Sequence, residues 1–167
     1  MTRARLPAFG YAYVALGLVA LGLDDGHERA AASVFTAAAF AFLWFLASLR
    51  ARLIRYDPDG FFASVVVLGG ASFLALQSAA LVFQLVSLAA LGSAGAATVV
   101  IGSSLAALRA RKVARWFGRL GIAGGTAVLA VGVVEAAAAR SLAETWWAST
   151  LGFMLWVVVT ATYLLRR

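Results

Sequence analysis

The chain has 167 residues, of which 63% are hydrophobic and 13% charged, against roughly 45–50% and 25% in an ordinary soluble domain. A soluble fold of this length could not bury so much apolar surface. The formal net charge of +7 alone would suggest a nucleic-acid partner, but in a membrane protein it reports topology, and we expect no nucleic acid. With no cysteine and one histidine, disulfides, thiolate or histidine metal centres and paired-histidine haem are excluded, and no cofactor is expected.

Six apolar segments, each close to the ~20 residues that cross a bilayer, occupy nearly the whole chain. We therefore predict an all-α, polytopic transmembrane bundle that forms a single domain over 1–167. The predicted spans are 6–23, 30–49, 61–80, 86–108, 117–137 and 146–165. The first also resembles a secretory signal peptide, but its apolar run of about 27 Å is long enough to span and is interpreted as a retained helix.

The stretch 61–108 contains no charged residue, and 48 positions are too many for one crossing. A tight turn near 78–85 divides it into two spans of suitable length. The alternative turn at 92–95 would leave a first helix of about 31 residues and a second too short to cross.

The basic residues predict the orientation, because cytoplasmic loops carry the excess of Lys and Arg. With six spans, twelve of the 14 basic residues lie inside and two, Arg29 and Arg140, lie outside. Both termini are therefore expected in the cytoplasm of a multi-pass protein of a bacterial plasma membrane.

Several short motifs carry a family resemblance: Phe42-Leu43-Trp44-Phe45-Leu46, Arg115-Trp116-Phe117-Gly118-Arg119 and Leu151-Gly152-Phe153-Met154-Leu155-Trp156. On these the chain resembles a group of small six-helix integral membrane proteins common in actinobacteria. It departs from them at Ala114, where they tend to have Pro, and in a shorter loop between the third and fourth helices. The resemblance implies six helices and no assigned activity.

A polar cluster is predicted at the outer face. Carboxylates and an imidazole can bind a divalent cation or move protons, and two glutamines and a glutamate fall at similar depth, where they could line a shallow vestibule. The candidate residues are Asp24, Asp25, His27, Glu28, Gln77, Gln84 and Glu135. The alternative is a solvated loop and glutamines that satisfy one another or the turn backbone. The acids offer no second spaced pair of the kind that membrane prenyl- and phosphatidyltransferases use for Mg²⁺, so neither a catalytic residue nor a metal ligand is assigned.

The segment 109–120 has the pattern of an interfacial basic helix, with apolar residues on one face and cations elsewhere. Its candidate contacts with anionic lipid are Arg109, Arg111, Lys112, Arg115, Arg119 and Trp116. The alternative is a topology anchor without a specific partner.

Small residues predict close helix packing at Gly69-Gly70 and at Gly121-x-x-x-Gly125. Packing inside the chain is favoured over self-association.

Three functions follow, in order of preference. The first is a non-enzymatic accessory or scaffold component of a membrane assembly, with lipids and other membrane subunits, or a second copy, as partners. The second is a small transporter or channel for a neutral or apolar solute. The third is a lipid-modifying enzyme that uses the outer acidic loop. An apolar bundle without charges near the membrane midplane favours the first, because such spans can pack but can hardly perform charge chemistry.

Overall fold

The computed structural model describes residues 3–23, 27–55, 57, 59–83, 86–109, 115–138 and 143–165. These residues form a 3-10 turn, Arg3–Ala8, followed by α-helices, and they contain no strand, so the predicted all-α class is confirmed. The helices are α1 (Phe9–Leu21), α2 (Glu28–Leu53), α3 (Phe61–Phe83), α4 (Val86–Arg109), α5 (Arg115–Ala138) and α6 (Ala143–Leu165).

Four helical segments are long and apolar enough to cross a membrane: Ala30–Leu53, Phe61–Ala80, Leu91–Arg109 and Arg115–Val134. Two further apolar stretches, Leu6–Leu21 and Thr150–Tyr163, are shorter. The chain is thus helical with four candidate membrane spans among its described residues.

The helix ends differ in part from the predicted span ends. Helix α2 continues past 49 to Leu53 and carries Arg50 and Arg52 in its last turn. Arginine has a high helix propensity and a long stem, so its charge can end the apolar segment without ending the helix. Helix α3 ends at Phe83 and α4 begins at Val86, so the stretch 92–95 lies inside a helix and not at a turn.

By its internal contacts the chain forms two compact units. The first comprises Met1–Leu49 and Val157–Arg167, and the second Arg50–Trp156. Helix α1, most of α2 and the end of α6 belong to the first; α3, α4, α5 and the start of α6 belong to the second.

In the first unit, aromatic rings fill the space between helices. The ring of Tyr13 on α1 lies 4.7 Å from that of Phe42 on α2, and Phe9 stacks on Trp44 at 6.0 Å. Phe42 and Phe45 are fully buried. Large rings fit irregular gaps and gain dispersion contacts over a wide area, which in lipid is a main source of helix association.

In the second unit, α4 lies between α3 and α5 and packs against both. At the start of α6, Phe153 packs on Phe73 of α3, with 5.0 Å between the ring centroids. The central position of α4 brings the ends of three neighbouring helices together, and the described charged side chains of the unit lie there.

Candidate functional site

The predicted outer acidic cluster lies mostly outside the described residues. Asp24 and Asp25 are not among them, and of Glu28 only the backbone is described. The side chain of His27 is exposed. No group of three or more His, Cys, Asp or Glu that could hold a metal ion occurs in the part of the chain that the structure describes. The cation site therefore stays a prediction.

Of the three further positions of the predicted vestibule, the structure describes the side chain of Gln77, and the vestibule stays a prediction. Gln77 on α3 is half-buried, and a Cβ built at Gly92 of α4 would lie 3.2 Å from its Nε2. The Gln77 side chain thus packs against α4 at Gly92. The side chains of Gln84 and Glu135 lie outside the described residues.

The basic segment is divided between two helices. Arg109 is the last residue of α4, whereas Arg115, Trp116 and Arg119 belong to the first turns of α5. Of the predicted interfacial segment 109–120, the structure thus describes the end of α4 and the first turns of α5. Residues 110–114, with Arg111 and Lys112, lie outside the described residues, and the predicted lipid contacts stay a prediction.

At this basic end the Arg109 guanidinium lies over the ring of Phe62 at the start of α3, 4.6 Å from the ring centroid. The contact joins the last residue of α4 to the second residue of α3. A cation at a helix C-terminus is favoured by the helix dipole, and a cation over an aromatic face by the negative π cloud. Arg109 is thus held in place from two sides.

The same end contains a buried carboxylate that the sequence analysis did not assign a role. Asp57 is 4% exposed, and its Oδ2 accepts hydrogen bonds from the backbone N–H groups of Phe62, at 2.6 Å, and Ala63, at 3.4 Å. The carbonyl of Gly60 accepts from the N–H of Ser64, so Gly60 is the N-cap residue. Glycine has no side chain to cap with, and Asp57 supplies the missing acceptor.

The geometry of the turn explains how the Asp57 side chain reaches the start of α3. Gly60 has φ of 68°, a left-handed conformation that glycine adopts without steric cost, and its N–H donates to the Asp57 carbonyl at 2.9 Å. The signal was present in Asp57-Pro58-Asp59-Gly60, because an aspartate shortly before an apolar helix is a common cap. Turn composition alone does not say which of the two aspartates faces the helix.

The predicted packing glycines lie at helix contacts inside the second unit. A Cβ at Gly69 would lie 2.8 Å from the Cβ of Thr98 on α4. On α5, a Cβ at Gly121 would clash with Ser104, and one at Gly125 would lie 2.6 Å from Ile101 Cγ1. Gly70 is buried as well.

The hydroxyl groups on these helices bond mainly to their own backbone. Each of the following donates to a carbonyl three or four residues earlier: Ser48, Thr98, Ser103, Ser104, Thr126 and Thr162. Such bonds satisfy a polar side chain in lipid without a second helix. Two buried polar atoms have no hydrogen-bond partner among the described residues, Nε1 of Trp156 in the second unit and Oγ1 of Thr160 in the first.

Comparison with known proteins assigns no family to this arrangement. No protein-family model, no curated protein and no solved structure matches the chain. The residues themselves define a class: a helical, membrane-type chain with basic residues at helix ends and with several hydroxyls that bond to carbonyls of their own helices.

Proposed function

We propose that this protein is a six-span accessory or scaffold subunit of a bacterial membrane assembly, without enzymatic activity and with both termini in the cytoplasm. Its resemblance to small actinobacterial membrane proteins implies the six helices, and the distribution of Lys and Arg supports the orientation. The observation that carries the proposal is the interior of the second unit. Its helices touch through glycines, and the hydroxyls of Thr98, Ser103 and Ser104 bond to carbonyls of their own helix. Such an interior can pack against lipid or protein but leaves little with which to move charge or cleave bonds.

The six-span arrangement has support from length. Helix α6 has 23 residues and is about 35 Å long, enough to cross ~30 Å of hydrocarbon. Helix α1 has 13 residues, but the preceding 3-10 turn lengthens the apolar N-terminal stretch to Leu6–Leu21. With six crossings, the basic ends of α2, α4 and α5 face the side that the positive-inside rule assigns to the cytoplasm.

Helix α5 offers the surface that a partner subunit would need. Its span is 22% buried, against 61% for that of α4, and its exposed side chains include Leu120, Leu129, Val133 and Val134. Val133 is exposed there, whereas Val99 on α4 is fully buried. A wide apolar face of this kind can receive a neighbouring helix.

Two experiments test the proposal. Single cysteines at Gly26 and Glu144 should react with an impermeant thiol reagent from outside, and cysteines at Gly60 and Ala114 should not; the chain has no cysteine of its own. Labelling of Ala114 from outside would refute the six-span topology. A photo-crosslinking residue at Val133 should give one discrete protein adduct in native membranes, and one at Val99 none. Adducts with lipid alone at Val133 would refute the scaffold role.

A second candidate, a carrier for a neutral solute, is favoured by the partnerless Trp156 Nε1 and Thr160 Oγ1. Each is a buried donor that a solute with an acceptor oxygen could satisfy. Flux of a neutral solute in proteoliposomes that is lost on Thr160→Val would favour this candidate over the scaffold.

A further inference from the structure

Arg109 is a charged residue with a fixed position and free hydrogen-bond donors. Its side chain is exposed, and its recorded partner among the described residues is the Phe62 ring. Its N–H groups have no hydrogen bond to the described residues, so two of them can bond to a planar or tetrahedral anion.

The buried carboxylate of Asp57, which precedes Phe62 in the turn before α3, is already engaged. Asp57 Oδ2 accepts from the N–H groups of Phe62 and Ala63, and Asp57 is buried. Asp57 thus fixes the backbone of Phe62, and the Phe62 ring in turn contacts the Arg109 guanidinium. The result is a pre-organised cation, which loses less conformational entropy on binding than a mobile surface arginine would.

Apolar side chains at the same end of the second unit are exposed. Leu108 of α4 packs where Gly118 of α5 lacks a side chain, so the start of α5 lies beside the end of α4. Trp116 is 63% exposed and Phe61, beside Phe62, is 64% exposed. Aromatic residues at a helix end favour the boundary between headgroups and acyl chains.

We propose that Arg109, held over Phe62, binds the phosphate of an anionic phospholipid headgroup at the basic end of the second unit. The guanidinium fork matches two phosphate oxygens, and the exposed Trp116 at the start of α5 suits the boundary between headgroups and acyl chains. The site rests on the proposed membrane placement and adds to it a defined ligand.

The test is native mass spectrometry of the full chain in detergent with an equimolar mixture of phosphatidylglycerol and phosphatidylcholine. Phe62→Leu removes the aromatic platform and keeps every charge. Phe61→Leu makes the same change at the exposed neighbouring ring, for which no contact with Arg109 is recorded. We expect Phe62→Leu to lower the retention of phosphatidylglycerol about two- to five-fold, the range of an exposed cation–π contact, and Phe61→Leu to leave it near wild type.

A second pair of variants leaves the buried Phe62 unchanged, so that a loss of lipid cannot be attributed to misfolding caused by Phe62→Leu. Arg109→Lys keeps the charge but loses the fork, and should lower retention at least two-fold. Arg50→Lys, at an exposed arginine in the last turn of α2, should leave retention near wild type. An excess of glycerol phosphate should leave the bound lipid in place.

Wild-type retention in both Phe62→Leu and Arg109→Lys would overturn the proposal, because charge alone would then suffice. Equal losses of retention in Phe61→Leu and Phe62→Leu would also overturn it, in favour of an unspecific aromatic contact. Full displacement of the lipid by glycerol phosphate would overturn it in favour of a free-phosphate site. Retention in detergent does not depend on membrane orientation, so failure here is distinguishable from failure of the topology, which cysteine labelling reports.

Discussion

The two units hold their helices together by different means. In the first, rings from α1 and α2 fill the gap, as Tyr13 does against Phe42. In the second, backbones touch: a Cβ at Gly95 would lie 2.6 Å from the carbonyl oxygen of Gly69 and from the backbone nitrogen of Phe73. A side-chain ring can rotate to make room for an added methyl group, whereas two backbones in contact can make room only by moving apart.

The comparison extends to a close glycine contact of the first unit. A Cβ at Gly10 would lie 2.9 Å from Phe45 Cδ2, in a ring that can turn, and 2.9 Å from Ala161 Cβ, which moves only with its backbone. A glycine-to-alanine substitution thus meets a ring in the first unit and backbone atoms in the second. Tolerance to added volume should be lower in the second unit.

The largest expected effect is that of Gly95→Ala. Because the new methyl group meets backbone on α3, the helices must move apart along the contact, and we expect a destabilisation of about 3 kcal/mol, the upper part of the range for overpacking. Gly10→Ala should cost about 1–2 kcal/mol. Unfolding of the purified protein by a denaturing detergent in mixed micelles would measure both.

Gly124 is the matched control for this pair. Nothing lies within 4 Å of a Cβ built there, so Gly124→Ala should change stability by less than about 0.5 kcal/mol. If Gly10→Ala proved costlier than Gly95→Ala, the contrast between ring packing and backbone packing would be wrong.

Part of this arrangement was predictable from the residues. Length and the missing charges in 61–108 place a turn between the third and fourth helices, and Gly121-x-x-x-Gly125 marks a close contact. Which helix each glycine faces was not predictable, because these helices are apolar on all sides and their pattern shows no preferred face.

The basic end illustrates what lies beyond a sequence pattern. The pattern of 109–120 predicted an interfacial helix, but it did not indicate that Arg109 contacts α3, whose Phe62 is 47 positions earlier in the chain. The use of Asp57 as a cap depends in turn on the left-handed Gly60. Both are tertiary or turn-geometry effects, which local periodicity does not encode.

A second difference between the units concerns how helices begin. Helix α1 starts after Ala8 without a side-chain cap, whereas α3 is capped by Asp57. Asp57→Ala should therefore destabilise the protein by about 1–2 kcal/mol, since it leaves two N–H groups unsatisfied and removes a negative charge from a helix N-terminus. Asp57→Asn, which keeps an acceptor, should cost less. The same detergent titration would measure them.

Asp59 provides the control, because it lies in the same turn and is exposed. Asp59→Ala should stay within about 0.5 kcal/mol of wild type. Equal effects at the two aspartates would mean that the turn needs polarity in general and that the cap contributes nothing of its own.

The smallest expected effect concerns a hydrogen bond in the ring-packed first unit, between the hydroxyls of Tyr11 on α1 and Thr162 on α6, 2.6 Å apart. The Thr162 hydroxyl donates to the Val158 carbonyl at 2.7 Å, so its single proton is used and Tyr11 must be the donor between the two.

Interhelical hydrogen bonds in membrane proteins average ~0.6 kcal/mol, because the separated helices also find partners in the membrane. A double-mutant cycle of Tyr11→Phe and Thr162→Val should give a coupling of about that size. Tyr11→Phe combined with Thr126→Val, whose hydroxyl bonds to its own helix, should give none. A coupling above about 2 kcal/mol would show that this bond, and not the rings, holds α1 in place, and the contrast between the two units would then have to be redrawn.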